Sequence, residues 1–188
     1  PIYHSTDLTH WEQIGHVLDR KNQLKLVSGA PNCLGIYAPT IRYHEGIFYC
    51  IVTNVGGRSG GNFFVYTTEP YGRWSNPVKL PFAGIDPSLF FDEDGRIYYT
   101  GTDTGIYIAE ITFDVVRNDT PKRNELPVSI QNVKCGEKHY IWNSSGGNNP
   151  EGPHLYRIHD MYYLMIAEGG TEYCHMVSIA RSKKVYGP

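Results

Sequence analysis

Two carboxylates and the tyrosines that follow them carry the chemistry in this sequence. Glu151 opens the run Glu151-Gly152-Pro153-His154-Leu155-Tyr156, and behind it come Tyr162, Tyr163 and the close Ala167-Glu168-Gly169-Gly170-Thr171. Asp86 opens a similar run, Asp86-Pro87-Ser88-Leu89-Phe90-Phe91, followed by Tyr98 and Tyr99. Paired carboxylates beside aromatic rings suit glycoside hydrolysis: one acid of raised pKa protonates the leaving oxygen, and other carboxylates tune it or activate water. Each residue also has a plain structural reading. Asp-Pro initiates turns, a loop glutamate is commonly just surface, and Glu168, at the end of a strand, reads as support rather than catalyst.

The elements that must position these residues recur. Tyr37-Ala38-Pro39 leads into a strand ending at His44, a turn at Glu45-Gly46, and a return strand from Ile47 to Thr53. A glycine in such a turn supplies the positive φ that tight hairpins need. The same layout follows Asp86-Pro87, with its turn at Asp94-Gly95, and again follows Glu151-Gly152-Pro153, with its turn at His159-Asp160. Third strands are expected at Asn62–Thr68, Gly105–Ile111 and His175–Ala180, and a short fourth near Pro77 to Leu80. A four-stranded repeat of about 40–50 residues is the mark of a β-propeller blade. An immunoglobulin-like sandwich would not repeat one proline, turn and tyrosine pair three times.

The fold expected is therefore all-β, a propeller of four-stranded antiparallel blades. Residues 1–18 form the end of one blade, 35–80 a second, 85–147 a third carrying a polar insertion at 114–147, and 151–188 the start of a fourth. Asp19 to Asn32 reads as a connection with a short helical turn, and Gly56 to Gly61 as a flexible rim loop. Leu8 to Trp11, Tyr71 to Trp74 and Val185 to Pro188 occupy the same turn of the repeat. The chain is thus expected to be an incomplete arc of about three to four blades, a piece of a longer polypeptide or one completed by strands of another chain. Its open edges could also pair copies of the chain into a homo-oligomer.

Composition narrows the ligand. A net charge of −2 and pI near 6.5, without a useful Lys/Arg run, exclude nucleic acid and anionic membrane surfaces. No apolar stretch is long enough to span a bilayer. Fifteen tyrosines, 3 tryptophans and 20 glycines suit strands, turns and sugar-stacking surfaces. Cys33, Cys50, Cys135 and Cys174 lack metal or redox spacing and read as reduced thiols. The eight histidines show no metal-ligand spacing. In a propeller, first strands begin and second strands end on one face, so Tyr37, Ala38, Asp86 and Glu151 share a channel mouth with Glu168 to Thr171.

These residues resemble glycoside hydrolase family 43, in its β-xylosidase and α-L-arabinofuranosidase branch. The resemblance is carried by Ile2 to Leu18, Ala38 to Tyr43, Gly84 to Gly95, Glu151 to Tyr156 and Ala167 to Thr171, nearly the whole chain apart from the insertion. It implies a five-bladed propeller and inverting hydrolysis of xylan- or arabinoxylan-type oligosaccharides by three carboxylates. Glu151 falls where the family has its general acid, and Asp86 where it has the aspartate that adjusts and orients that acid. Tyr37-Ala38 matches a sugar-binding position commonly held by Trp-Ala, and Thr171 would face the pocket. The family's general base belongs to an Asp-Pro upstream of residue 1. It is expected outside this chain, leaving the piece by itself with little turnover. No cofactor is required, and a channel cation such as calcium, found in some members, has no support in the sequence. A non-catalytic carbohydrate-binding propeller is the alternative reading. A WD-type interaction propeller is disfavoured because the Gly-His and Trp-Asp signatures are missing.

Overall fold

The computed structural model describes residues 1–24, 29–31, 33–56, 60–171 and 173–187. Fourteen strands and no helix are formed among them, so the chain is all-β. β1 (Ile2–His4) pairs with β2 (Glu12–Gly15). The second sheet has the order β3 (Ile36–His44), β4 (Ile47–Asn54), β5 (Gly61–Thr67), β6 (Val78–Lys79). The third runs β7 (Ile85–Phe91), β8 (Ile97–Thr102), β9 (Ile106–Arg117), β10 (Val128–Cys135), with β11 (His139–Trp142) also on β9. The fourth is β12 (Glu151–Ile158), β13 (Met161–Glu168), β14 (Met176–Ser182). All pairings are antiparallel.

The sheets are layered with a core between each pair of neighbours. Period-two alternation of side chains assigns each residue of an inner strand to one core or the other. In the second sheet Cys50, Val52, Phe63 and Val65 face β1 and β2 with Trp74, whereas Tyr49, Ile51 and Phe64 face the third sheet. There Leu89, Tyr99, Tyr107 and Ala109 answer them, while Phe90, Tyr98, Ile106 and Ile108 turn the other way onto Leu155, Leu164 and Ile166 of the fourth. Burial on both faces explains why β4, β5 and β8 read as near-continuous apolar and aromatic runs.

The segment expected as a polar insertion, from 114 to 147, holds regular strands: β9 extends to Arg117, β10 pairs with that extension, and β11 pairs with the start of β9. Between residues 19 and 32, the described part holds a turn closed by Gln23 N donating to the Arg20 carbonyl (2.9 Å), with no helix. Residues 25–28 and 32 of that connection, 57–59 of the glycine-rich loop, and Pro188 of the third turn segment lie outside the described residues. The hairpin turn at Glu45-Gly46 has positive φ at both central residues (47° and 83°), so Glu45 shares a conformation the sequence reading gave to glycine alone.

The first strands of the three larger sheets pack against one another, β3 on β7 and β7 on β12. Thr40 Oγ1 donates to the Pro87 carbonyl (3.0 Å) and Arg42 Nε to that of Leu89 (3.1 Å). Thr100 Oγ1, on β8, donates to the Pro153 carbonyl (3.1 Å). These contacts bring the starts of β3, β7 and β12 to one rim.

Candidate active site

The site is built from one local device used three times. Each first strand carries a β-bulge at its lead proline: Tyr37 pairs Thr53 but Thr40 pairs Ile51, Ile85 pairs Thr102 but Ser88 pairs Thr100, and Glu151 pairs Ala167 but His154 pairs Met165. Three residues thus span the distance of two. The residue before proline takes left-handed φ in every case: Ala38 at 40°, Asp86 at 55°, Gly152 at 59°. Bulges re-aim side chains at rims, and left-handed φ in a non-glycine residue costs roughly 1–3 kcal/mol. Glycine takes that position without strain in the third bulge, whereas Ala38 and Asp86 do not have that freedom. The device also offsets the two acids. Asp86 occupies the position of Ala38 and Gly152, and Glu151 that of Tyr37 and Ile85.

That offset lets the neighbouring bulges lock together. Gly152 N donates to Asp86 Oδ2 at 3.1 Å, joining the third sheet to the fourth at the residue next to Glu151. Both acids are half-buried. Burial pushes the Asp86 carboxyl above the usual range, only partly offset by the Gly152 amide. Glu151 is pushed up by burial and then by the charge of Asp86, against a smaller opposing influence from the imidazole of His175. A carboxyl whose pKa is raised beside a second carboxylate is suited to proton donation to a leaving oxygen.

The remaining expected residues are placed less closely. Tyr37 is exposed, its hydroxyl donating to the Cys33 carbonyl at 2.5 Å. Ala38 is exposed in the bulge beside it, and Thr171 is exposed on the turn after β13. No hydrogen bond among the described residues links these three to Asp86 or Glu151. Of two further residues near the acids, the sequence reading singled out one, Glu168, as support and gave the other no role. His175 acts on Glu151 from the loop before β14, and Glu168 is completely buried one position beyond the partner of Glu151. The signal for His175 was its place opening the third strand of the repeat.

Arg42 Nη2 lies 3.1 Å from His154 Nδ1 and 3.3 Å from Ser88 Oγ, with its guanidinium 5.5 Å from the Tyr156 ring centre. Burial, and then the charge of Arg42, hold the His154 pKa down. Among the described residues no three His, Cys, Asp or Glu side chains gather as a metal site.

The chain is 44% identical over 200 residues to a "Xylosidase/arabinosidase" of Butyrivibrio fibrisolvens, covering 99% of this chain and 35% of that protein. It is 41% identical over 190 residues to a "Non-reducing end alpha-L-arabinofuranosidase" of Bacteroides ovatus, covering all of this chain and 33% of that one. Among solved structures, the xylan beta-1,4-xylosidase of Bacillus halodurans superimposes with a TM-score of 0.80 at 35% identity, over 99% of this chain and 35% of that one. The chain therefore spans about a third of the length of the relatives it matches. The profile of Glycosyl hydrolases family 43 matches residues 1–188 throughout, and the chain belongs to that family.

Proposed function

We propose that the protein of which these residues are part hydrolyses glycosidic bonds of xylose- or arabinofuranose-containing oligosaccharides with inversion, Glu151 acting as general acid and Asp86 as the residue that tunes and orients it. The observation that carries this reading is the interlocked pair of bulges, in which Asp86 binds the amide next to Glu151 while both carboxyls are held above their usual pKa. Protonated Glu151 gives its proton to the glycosidic oxygen as the bond to the anomeric carbon breaks. Negative Asp86 keeps that proton in place until then. The attacking water needs a further carboxylate as base. Among the described residues none bears on Asp86 or Glu151, so in this proposal the base comes from elsewhere in the polypeptide and residues 1–188 alone turn over little substrate. The exposed Tyr37, Ala38 and Thr171 supply the sugar-contacting rim, and the layered sheets are blades of a five-bladed propeller, with blade limits at 1–18, 35–80, 85–147 and 151–188.

Glu151→Gln in the full-length protein tests the assignment. Turnover of a xylo-oligosaccharide should fall by roughly 10³–10⁴, and that of a nitrophenyl xyloside by much less, because nitrophenolate leaves without a proton. Equal losses on both substrates would remove Glu151 from the acid role. Oligosaccharide binding with no turnover by the wild type would favour a carbohydrate-binding propeller.

A further inference from the structure

The carboxylate of Glu168 has no part in the chemistry above, yet it is the most completely enclosed acid among the described residues, 0% exposed. Among the described residues no cation pairs with it, and four neutral donors solvate it instead: Oε1 accepts from Trp142 Nε1 (3.1 Å) and Ser145 N (2.8 Å), and Oε2 from the hydroxyls of Ser145 and Ser178, the latter at 2.6 Å. An ionised carboxylate has about four acceptor sites, so it is saturated. Burial works to raise its pKa, but the bonds from Ser145, Ser178 and Trp142 outweigh it and hold the group at about 2.

Three of the four donors belong to one piece of chain. Trp142 ends β11, and Ser145 lies in the strap, residues 143–150, that leads from β11 into Glu151 at the start of β12. Beyond Ser145 the strap is pinned again: Gly169 N, the residue after Glu168, donates to the Asn148 carbonyl (2.6 Å), and Thr102 Oγ1 donates to that of Pro150 (2.8 Å). Gly147 passes so close that a Cβ there would lie 3.2 Å from that of Glu168. An exposed eight-residue connection is thereby fixed at successive points up to the acid it delivers.

We propose that Glu168 is the positioning residue of this site: its buried charge fastens the strap to the fourth sheet and so holds Glu151 half-buried against the Asp86 bulge. The inference rests on the general-acid reading of Glu151 for its catalytic consequence, but not for its geometric one. Glutamine can replace glutamate here. Its oxygen can accept from Trp142 and the Ser145 amide, which cannot turn round, and its NH₂ can donate to the two hydroxyls, which can. Alanine leaves all four donors unpaired.

The test uses the full-length protein as wild type, Glu168→Ala, Glu168→Gln and Ser145→Ala, with the Glu151 carboxyl followed by ¹³C NMR and assigned by its loss in Glu151→Gln. In Glu168→Ala the Glu151 pKa should drop towards the ordinary glutamate value. The alkaline limb of kcat should then move to lower pH and kcat should fall about a hundredfold, with KM changing less. Glu168→Gln should restore both readings to near wild type. Ser145→Ala, an exposed substitution that the fold tolerates, should shift them in the same direction with roughly a fivefold loss. An unmoved Glu151 pKa in both Glu168→Ala and Ser145→Ala, whatever their melting temperatures, would overturn the inference; if Glu168→Ala does not fold, Ser145→Ala decides alone. A wild type without turnover whose Glu151 pKa nonetheless responds would sink the hydrolytic reading and leave the positioning role standing.

Discussion

Asp86 near the start of strand β7 and Asp92 just past its end both tie the third sheet to the fourth. At the far end Asp92 is 4% exposed and receives Arg157 Nη1 (2.7 Å), the Tyr162 hydroxyl (2.6 Å) and the Glu93 amide (2.8 Å). Burial would raise its pKa, but Tyr162, Arg157 and Glu93 more than compensate, and the carboxyl is held below its usual range. At the rim end Asp86 has one backbone donor at 3.1 Å, a left-handed φ of 55° and a raised pKa. Residue type and bridged sheets are shared. What differs is satisfaction: where only cohesion is needed the carboxylate receives three donors, and where proton chemistry is proposed it is left with one in a strained bulge.

The largest effect that would sharpen this contrast is on catalysis. Asp86→Asn keeps the shape and an acceptor for Gly152 N but removes the charge that, after burial, raises Glu151. Glu151 must be protonated to act, so its lowered pKa moves the alkaline limb of kcat to lower pH, and kcat should fall roughly 10–100-fold. The folded protein binds the Asp86 proton more tightly than the unfolded chain does. This aspartate therefore costs stability as pH rises from the ordinary aspartate range through its raised folded value, and the variant should melt no lower than wild type at neutral pH. A large melting loss with an unmoved pH profile would place Asp86 with Asp92 as a structural acid and dissolve the contrast.

Asp92→Asn should do the reverse. It strips the Arg157 guanidinium of its buried counter-charge, so Tm at neutral pH should fall by roughly 5–10 °C while kcat per folded molecule stays unchanged. Asp92 has a depressed folded pKa, so its contribution is present above the unfolded aspartate value and disappears as pH falls through the folded one. Melting curves of variant and wild type should converge on acidification, and a gap constant with pH would mean that packing rather than charge is lost.

The contrast was only half legible in the sequence. Asp86 and Glu151 stood out because each opens a proline-led strand, and the structure does interlock them. The bulge frame stayed hidden because a two-against-one register is a property of the partner strand, and the motifs alone aligned the runs only by their lead prolines. The same effect concealed β10. Val128 and Ile130 face inward, a bulge at Asn132 (φ 53°) shifts the phase, and Val133 and Cys135 face inward after it, so the alternation reads as a polar stretch. Glu168 looked like support in the sequence, but its donors lie 10 to 26 residues away, and no local pattern announces them. Arg42 meets His154 across 112 residues, a pairing that only the packing of β3, β7 and β12 produces.

The smallest effect concerns the bulge itself. Ala38, with φ 40°, holds the same position as Asp86 and Gly152 but carries no charge and is exposed, so it isolates the cost of the backbone. Ala38→Gly should relieve about 1 kcal/mol of left-handed strain while the unfolded chain gains entropy worth about 0.5–1 kcal/mol. The two nearly cancel, and Tm should stay within about 2 °C of wild type. Ala180→Gly, in the regular pairing of β14 with β13, has no strain to release and should lose roughly 2–4 °C. If Ala38→Gly fell as far as that control, the bulges would store no strain. Asp86 would then differ from Asp92 only in the donors it lacks.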